Sequence, residues 1–296
     1  MDLASYMMDK TRMIDQALEK ALPQTQDLSA NLVKAMRYSL FAGGKRLRPI
    51  LCLAGAEAVG APARAALPAA LALEMIHTAS LIHDDLPAMD DDDFRRGRPA
   101  NHKVFGEGMA ILAGVGLLMR AFGLLAESGR EGQAPSSLVF QAISVIARAA
   151  GPDGMVGGQA VDLEYEGREI DEELVAFLHS HKTAALISAA VTSGAILGGG
   201  GQAQVAALAE YGGKVGLAFQ IVDDILDLEG DEALLGKPVG SDEALRKATY
   251  PRAIGLEKAK EKAERFKEEA VAALVGFGPS ADPLRGLAAY LLARKR

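Results

Sequence analysis

The sequence predicts an all-α fold, a single helical domain over residues 1–296, and three observations predict it. Alternating β-branched runs bounded by turns are nearly absent, whereas apolar residues recur with the 3.6-residue helical period along the whole chain. Hydrophobic residues make up 49% but aromatics only 5%, with no Trp, a profile that suits close-packed helices better than strands. No Ser-rich or charged linker and no fixed-period repeat divides the chain.

Taken in order, helices are expected at 5–21, 30–41, 47–59, 63–84, 107–127, 135–150, 171–199, 202–229, 252–275 and 282–293. Helix breakers punctuate them: Pro23, Gly43-Gly44, Gly60 to Pro62, Pro87, Gly151 to Asp153, Gly198 to Gly201, Gly236 to Gly240 and Gly276 to Pro279. The apolar run Thr183–Gly201 is rich in Ala, Gly, Ser and Thr and ends in glycines, so it reads as a buried helix. A membrane span of about 20 residues carries more Leu, Ile and Phe. With no secretory pattern at Met1–Lys20, a cytoplasmic protein without a membrane span is expected.

Lys and Arg total 32 against 39 Asp and Glu, a net charge of −7, which disfavours non-specific nucleic-acid binding. The single cysteine, Cys52, lies between Leu51 and Leu53 and reads as a core residue.

Two acidic clusters stand out. His83-Asp84-Asp85-Leu86-Pro87-Ala88-Met89-Asp90-Asp91-Asp92-Asp93 places six aspartates within ten positions at the end of an apolar helix. Pro87 should break that helix and let Asp90 fold back. Far downstream, Gln220-Ile221-Val222-Asp223-Asp224-Ile225-Leu226-Asp227 sets Asp223 and Asp227 about 40° apart on one helix face. The first cluster alone could be a solvated loop. The second is harder to read so, because apolar residues interleave with its acids. Two carboxylates about 4 Å apart repel by about 4 kcal/mol at an effective dielectric near 20. A cation or protons must neutralise them, and an all-oxygen site selects Mg²⁺ bound together with phosphates.

Basic runs obey the same logic. Gly43-Gly44-Lys45-Arg46-Leu47-Arg48-Pro49 and Arg95-Arg96-Gly97-Arg98-Pro99 present cations from fixed turns, suited to phosphate, although the second could simply neutralise the acids beside it. Lys182 and Lys237 are weaker candidates for phosphate contacts. His77 lies about 20° off the face of Asp84 and could be a core residue or look into the same cleft. His83, His102, His179 and His181 read as structural.

These motifs resemble the trans-isoprenyl diphosphate synthases, the head-to-tail prenyltransferases that include farnesyl and geranylgeranyl diphosphate synthases. The resemblance runs from Ser29 to Arg296 and rests on GGKRLRP at 43–49, EMIHTASLIHDDLPAMDDDDFRRGRPANHKVFGE at 74–107, GMVGGQAVDL at 154–163, HKTAALI at 181–187 and FQIVDDILD at 219–227. It implies an all-α bundle around a deep central cavity, and a homodimer. It implies that Asp84, Asp85 and Asp90, with Asp223, Asp224 and Asp227, hold two or three Mg²⁺ against an allylic diphosphate. Lys45, Arg48, His77 and Arg96 resemble the isopentenyl diphosphate site. Arg95, Lys182 and Lys237 resemble clamps on the allylic diphosphate, and Thr183 and Gln220 would line the reacting carbons.

Ala79 and Ser80, just before Asp84, resemble the chain-length floor of geranylgeranyl synthases, where farnesyl-producing bacterial relatives carry an aromatic. A twenty-carbon product is therefore expected, with fifteen carbons as the alternative. The family's usual Ala-Gly-Asp reads Ala113-Gly114-Val115 here, which is expected to alter hydrogen bonding or cavity shape. A class I terpene cyclase and a non-catalytic subunit are remoter alternatives. Against them stand the Asp-Asp-x-x-Asp form of the second cluster, the presence of GGKRLRP, and the survival of both acidic motifs.

Overall fold

The computed structural model describes residues 2–130, 134–229 and 248–292. Its helices are α1 (Leu3–Ala21), α2 (Ala30–Leu40), α3 (Leu47–Ala58), α4 (Leu67–Asp84), α5 (Asn101–Phe105), α6 (Glu107–Arg130), α7 (Ser136–Ala150), α8 (Met155–Tyr165), α9 (Glu172–Leu178), α10 (Ala185–Leu197), α11 (Gln202–Glu229), α12 (Tyr250–Ile254), α13 (Leu256–Ala273) and α14 (Asp282–Leu292). A π-helical turn, His179–Ala184, joins α9 to α10. The strands described are a two-residue pair, β1 (Phe94–Arg95) and β2 (Arg98–Pro99), antiparallel with Phe94 opposite Pro99.

Each expected helix has its counterpart, with three differences in detail. Segment 252–275 is split at Gly255, where φ is +87°. Segment 171–199 is interrupted by the π turn. Helix α8 and the short α5 lie outside the expected set. Gly157 and Gly158 lower the helix propensity of α8 and blur its periodicity.

The core is built from helices that are apolar all round. In α10, Leu186, Ile187 and every residue from Ala189 to Leu197 are buried, and α3 and α4 are nearly as enclosed. They pack against one another and against α6, α7 and α11. A second, smaller cluster, including Val175, Ile221, Tyr250 and Phe266, ties α9 and α11 to α12 and α13.

Three segments, Ala63–Asp84, Glu107–Arg130 and Glu172–Leu197, are long and apolar enough to cross a membrane by length and composition. The most apolar windows of the first and last are 67% and 56% buried, that of α6 only 33%. Its exposed residues Ile111, Leu112, Val115 and Met119 fall within one arc of about 100°, opposite the buried Ala110, Ala113, Leu117 and Ala121. Val115 thus belongs to an outer apolar stripe. The expected change of hydrogen bonding or cavity shape is not what its position shows.

Candidate active site

Asp84 closes α4, and Pro87 prevents the helix from continuing. The chain turns back so that the Asp90 N–H donates to the Asp84 carbonyl at 2.8 Å. The fold-back inferred from Pro87 is therefore present. Asp84 is largely buried, and its carboxyl is pushed up to about 6 by burial; Asp90 and Asp85 add to the rise, Lys182 and Arg95 oppose it.

Asp85 behaves differently. It is almost fully buried and accepts from the Arg95 Nε at 2.8 Å, while Arg95 Nη2 also reaches Asp92 at 2.7 Å. Arg95, expected to clamp a diphosphate, here sits on the first acidic cluster and neutralises Asp85.

On the facing side, Lys182 of the π turn pairs with Asp162 of α8 at 2.6 Å. Burial works against the Lys182 charge. The carboxylates of Asp162, then Asp84 and Asp90, outweigh it and raise its pKa above the ordinary lysine value. This approach of α8 to the π turn needs a glycine. A Cβ on Gly158 would lie 2.5 Å from the Lys182 nitrogen.

Next to Lys182, the Thr183 hydroxyl donates to Gln220 Oε1 at 2.8 Å, and Gln220 Nε2 donates to Asp224 Oδ1 at 3.1 Å. Asp224 Oδ2 accepts from the Tyr250 backbone N–H at 3.0 Å and lies 3.2 Å from His179 Nε2. Both ends of the Gln220 amide are thereby fixed. A cavity of about 190 Å³ collects Asp162, Lys182, Thr183, Gln220 and Asp223, so the second cluster opens on the space Lys182 shares with the first.

Asp223 is exposed, but Asp224 and Asp227 are 3% and 2% exposed. The α11 face expected to present Asp223 and Asp227 alike divides into one outward and one inward carboxylate. Asp224 serves as the hub of the Gln220–His179–Tyr250 network.

The basic residues form a separate group about two helical turns before Asp84 on α4. Arg46, at φ 49°, turns inward and is 4% exposed; it pairs with Glu74 at 2.6 Å and Asp15 at 2.9 Å and donates to the Leu40 carbonyl. Lys45 stays exposed. Arg48 points to neither acid, and its buried Nε has no hydrogen-bond partner. Burial pushes Arg48 down to about 10, with Glu74 opposing and Arg96 adding.

Arg96 donates to the Gly43 carbonyl and lies across Gly44, where a Cβ would come within 2.8 Å of the guanidinium carbon. His77 is held well below the ordinary histidine range by burial and by Arg48, Arg96, Arg95 and Arg46. A neutral imidazole among guanidiniums, one with an unmet N–H, has the chemistry that suits an anion.

Ala79 is fully buried in the core, and the half-buried Ser80 hydroxyl donates to the His77 carbonyl at 2.9 Å. Lys237 lies outside the described residues, as does the basic stretch Arg294-Lys295-Arg296.

Sequence reasoning missed Asp162, Glu74 and His179. Asp162 lies within the quoted GMVGGQAVDL motif, which is its only signal. His179 reads as structural from sequence, yet its ring meets Asp224 and packs edge-on against Tyr250 at 4.9 Å.

Comparison with known proteins agrees with this arrangement. The chain matches the polyprenyl synthetase family over residues 29–273. The chain belongs to that family. It is a prenyltransferase, and its all-α fold is that of the family's solved members. It is 46% identical over 298 residues to the heterodimeric geranylgeranyl pyrophosphate synthase large subunit 1, chloroplastic, of Arabidopsis thaliana, covering 99% of this chain and 80% of that one. It is 49% identical over 262 residues to the farnesyl diphosphate synthase of Geobacillus stearothermophilus, covering 88% of each. The crystal structure of an FPP/GFPP synthase from Zymomonas mobilis superposes with a TM-score of 0.87 at 38% identity, covering 99% of both chains.

The residues present suit Mg²⁺. Asp84, Asp90 and Asp223 offer oxygen only, and Asp84 does not readily hold its charge unaided, as its raised pKa shows. The tightest trio of metal-ligating side chains among the described residues is a different one: Asp91, Asp93 and His102, with one ligand atom of each within 4.8 Å of the others.

Proposed function

We propose that this enzyme condenses isopentenyl diphosphate with allylic diphosphates (dimethylallyl, geranyl and farnesyl) to give geranylgeranyl diphosphate, residues 1–296 acting as one catalytic domain. One observation carries the reading: a basic cluster and an acidic cluster lie at two points along α4. A cation cluster around His77 stands about 10 Å, or seven residues of helix, from the acid-rich end at Asp84. The guanidinium side suits a diphosphate that binds without metal. The acidic side suits one that arrives with cations.

Mg²⁺ held by Asp84, Asp90 and Asp223, when bound, supplies positive charge to the pyrophosphate that leaves the allylic carbon. Lys182, kept protonated by its three carboxylates, faces the same leaving group. Arg48, His77 and Arg96, with Lys45, hold isopentenyl diphosphate so that its double bond meets the allylic carbon. The allylic carbon–oxygen bond breaks, the isopentenyl double bond forms the new carbon–carbon bond, and a proton passes to the departing pyrophosphate. Thr183 and Gln220, locked to each other, set a rigid wall beside the reacting carbons.

The decisive experiment incubates purified protein with Mg²⁺, isopentenyl diphosphate and each allylic starter and reads product length. Elongation to twenty carbons supports the reading, and a fifteen-carbon stop transfers it to farnesyl diphosphate synthesis. Failure with every starter favours a non-catalytic subunit, and a hydrocarbon formed without isopentenyl diphosphate favours a cyclase.

Product length is expected to depend on Ala79. In the Ala79→Tyr variant the product should shorten to fifteen carbons or fewer. Because Ala79 is fully buried, the larger ring is also expected to cost about 1–3 kcal/mol of stability. An unshortened product in a folded variant places the floor elsewhere.

The raised Asp84 pKa gives a pH prediction. A divalent cation competes with a proton there, so the Mg²⁺ concentration for half-maximal rate should rise about tenfold between pH 7 and pH 5. The stability sign is opposite. With metal removed, the contribution of Asp84 is full below its unfolded value of 3.8 and is lost as pH rises through about 6. A flat Mg²⁺ requirement from pH 5 to 7 would contradict the assignment.

The exposed stripe of α6 supports a homodimer, since an apolar patch of this kind marks an interaction surface, and self-pairing is the simplest closed arrangement. The Arabidopsis relative is a subunit of a heterodimer, so mass in solution should be measured for this chain alone. A cytoplasmic location is retained on the same ground: α6 is read as a subunit face, not a membrane face. Partition of the expressed protein into membranes would reverse that.

A further inference from the structure

We propose that Asp91, Asp93 and His102 form a second metal site, selective for Zn²⁺-type ions and separate from the Mg²⁺ ligands of the reaction. The hairpin builds it. The Ala100 N–H donates to the Asp93 carbonyl at 2.8 Å, and the pairing of Phe94 with Pro99 closes the turn. His102 comes next in the short helix α5, and one ligand atom from each of the three side chains lies within 4.8 Å of the other two.

His102 is the second observation that points to a ligand. It is 6% exposed, and neither ring nitrogen has a hydrogen-bond partner. A buried polar group left unpaired is destabilising, and a bound cation would remove that cost. The two carboxylates are exposed, so water can complete the coordination.

The donor set decides the ion. The reaction cleft offers carboxylate oxygen, which suits Mg²⁺. Here an imidazole nitrogen joins two carboxylates, and imidazole favours Zn²⁺ and its neighbours in the transition series. Two features limit the affinity to a modest value. Lys103 already pairs with Asp93 at 2.6 Å and competes with the ion, and the non-ligating His102 nitrogen has no acceptor to orient it. Such an ion would clip together the segment from Asp91 to His102, which carries Arg95 and Arg96, fixing the hairpin that presents them.

The test uses the full chain stripped with EDTA and dialysed against micromolar Zn²⁺, with bound metal measured by mass spectrometry and melting tracked in parallel. An Asp84→Asn/Asp223→Asn variant removes acids of the reaction cleft. It is expected to keep one Zn²⁺ per chain and the accompanying rise in Tm, and excess Mg²⁺ should not displace the ion. Adding Asp91→Asn/Asp93→Asn, both surface positions that folding should tolerate, is expected to weaken Zn²⁺ by more than about 100-fold. With Co²⁺ as probe, the visible absorption should change in His102→Asn. If Zn²⁺ is retained without Asp91 and Asp93, or is not bound once the cleft acids are gone, the proposal fails. Neither readout depends on prenyl transfer.

Discussion

Replacing Asp84 or Asp223 with alanine is expected to lower kcat/KM by about 10³-fold, with helix content unchanged by circular dichroism. The magnitude is that of removing one electrostatic anchor from a developing anion. Asp84 makes the more instructive variant, because its charge is held against the preference of its surroundings. A carboxyl moved from 3.8 to about 6 is destabilised as an anion by at most ~3 kcal/mol. Asp84→Asn should therefore melt higher than the parent in EDTA at pH 7.5 while being nearly inactive with Mg²⁺. Gain of stability with loss of turnover marks a functional carboxylate. Full activity in either alanine variant would remove the acid clusters from the mechanism.

Glu74→Ala is expected to cost about 3–5 kcal/mol, because it removes the buried 2.6 Å partner of the Arg46 guanidinium and leaves only the half-exposed Asp15 carboxylate to face it. For a chain of this size that corresponds to a Tm lower by about 6–10 °C. Glu74 also attracts Arg48 and Arg96, so its loss leaves the cluster around His77 with little internal counter-charge. The KM for isopentenyl diphosphate should therefore change more than that for the allylic substrate. The double variant Arg46→Met/Glu74→Leu, which removes both charges together, should recover much of the stability. If Glu74→Ala melts like the parent, Glu74 is not the counter-charge that holds the basic cluster.

What could be read in the sequence was whatever local chemistry dictates. Pro87 foretold the return of Asp90 to Asp84, and the glycine pair at 43–44 foretold a turn beside cations. The sorting of Lys45, Arg46 and Arg48 into an exposed cation, a buried ion-paired one and one with a buried, unpartnered Nε was not legible. It depends on the positive φ of Arg46 and on Glu74, 28 residues away. Asp162 was hidden for a similar reason. Nothing near it in sequence announces Lys182, and the glycine that lets them meet looks like a helix breaker until the crossing is seen. The interleaving of Asp223, Asp224 and Asp227 with apolar residues indicated a half-buried helix. Only packing could say that Asp223 faces out while Asp224 is tied to Tyr250 and His179.

The π turn at His179–Ala184 has one residue more than a regular helix of the same rise would hold. Such an insertion leaves a record that deletion can read. Removing Ser180 would let α9 and α10 run as one regular helix in nearly their present phase, while the residues inside the turn shift around the helix face. His179 would swing away from Asp224, and the Lys182–Asp162 pair would lose its alignment, although no residue named in the reaction had been altered. The length of this segment, counted to the single residue, is therefore as much under constraint as the identity of its side chains, and insertions or deletions here should be far less tolerated than substitutions at Ser180.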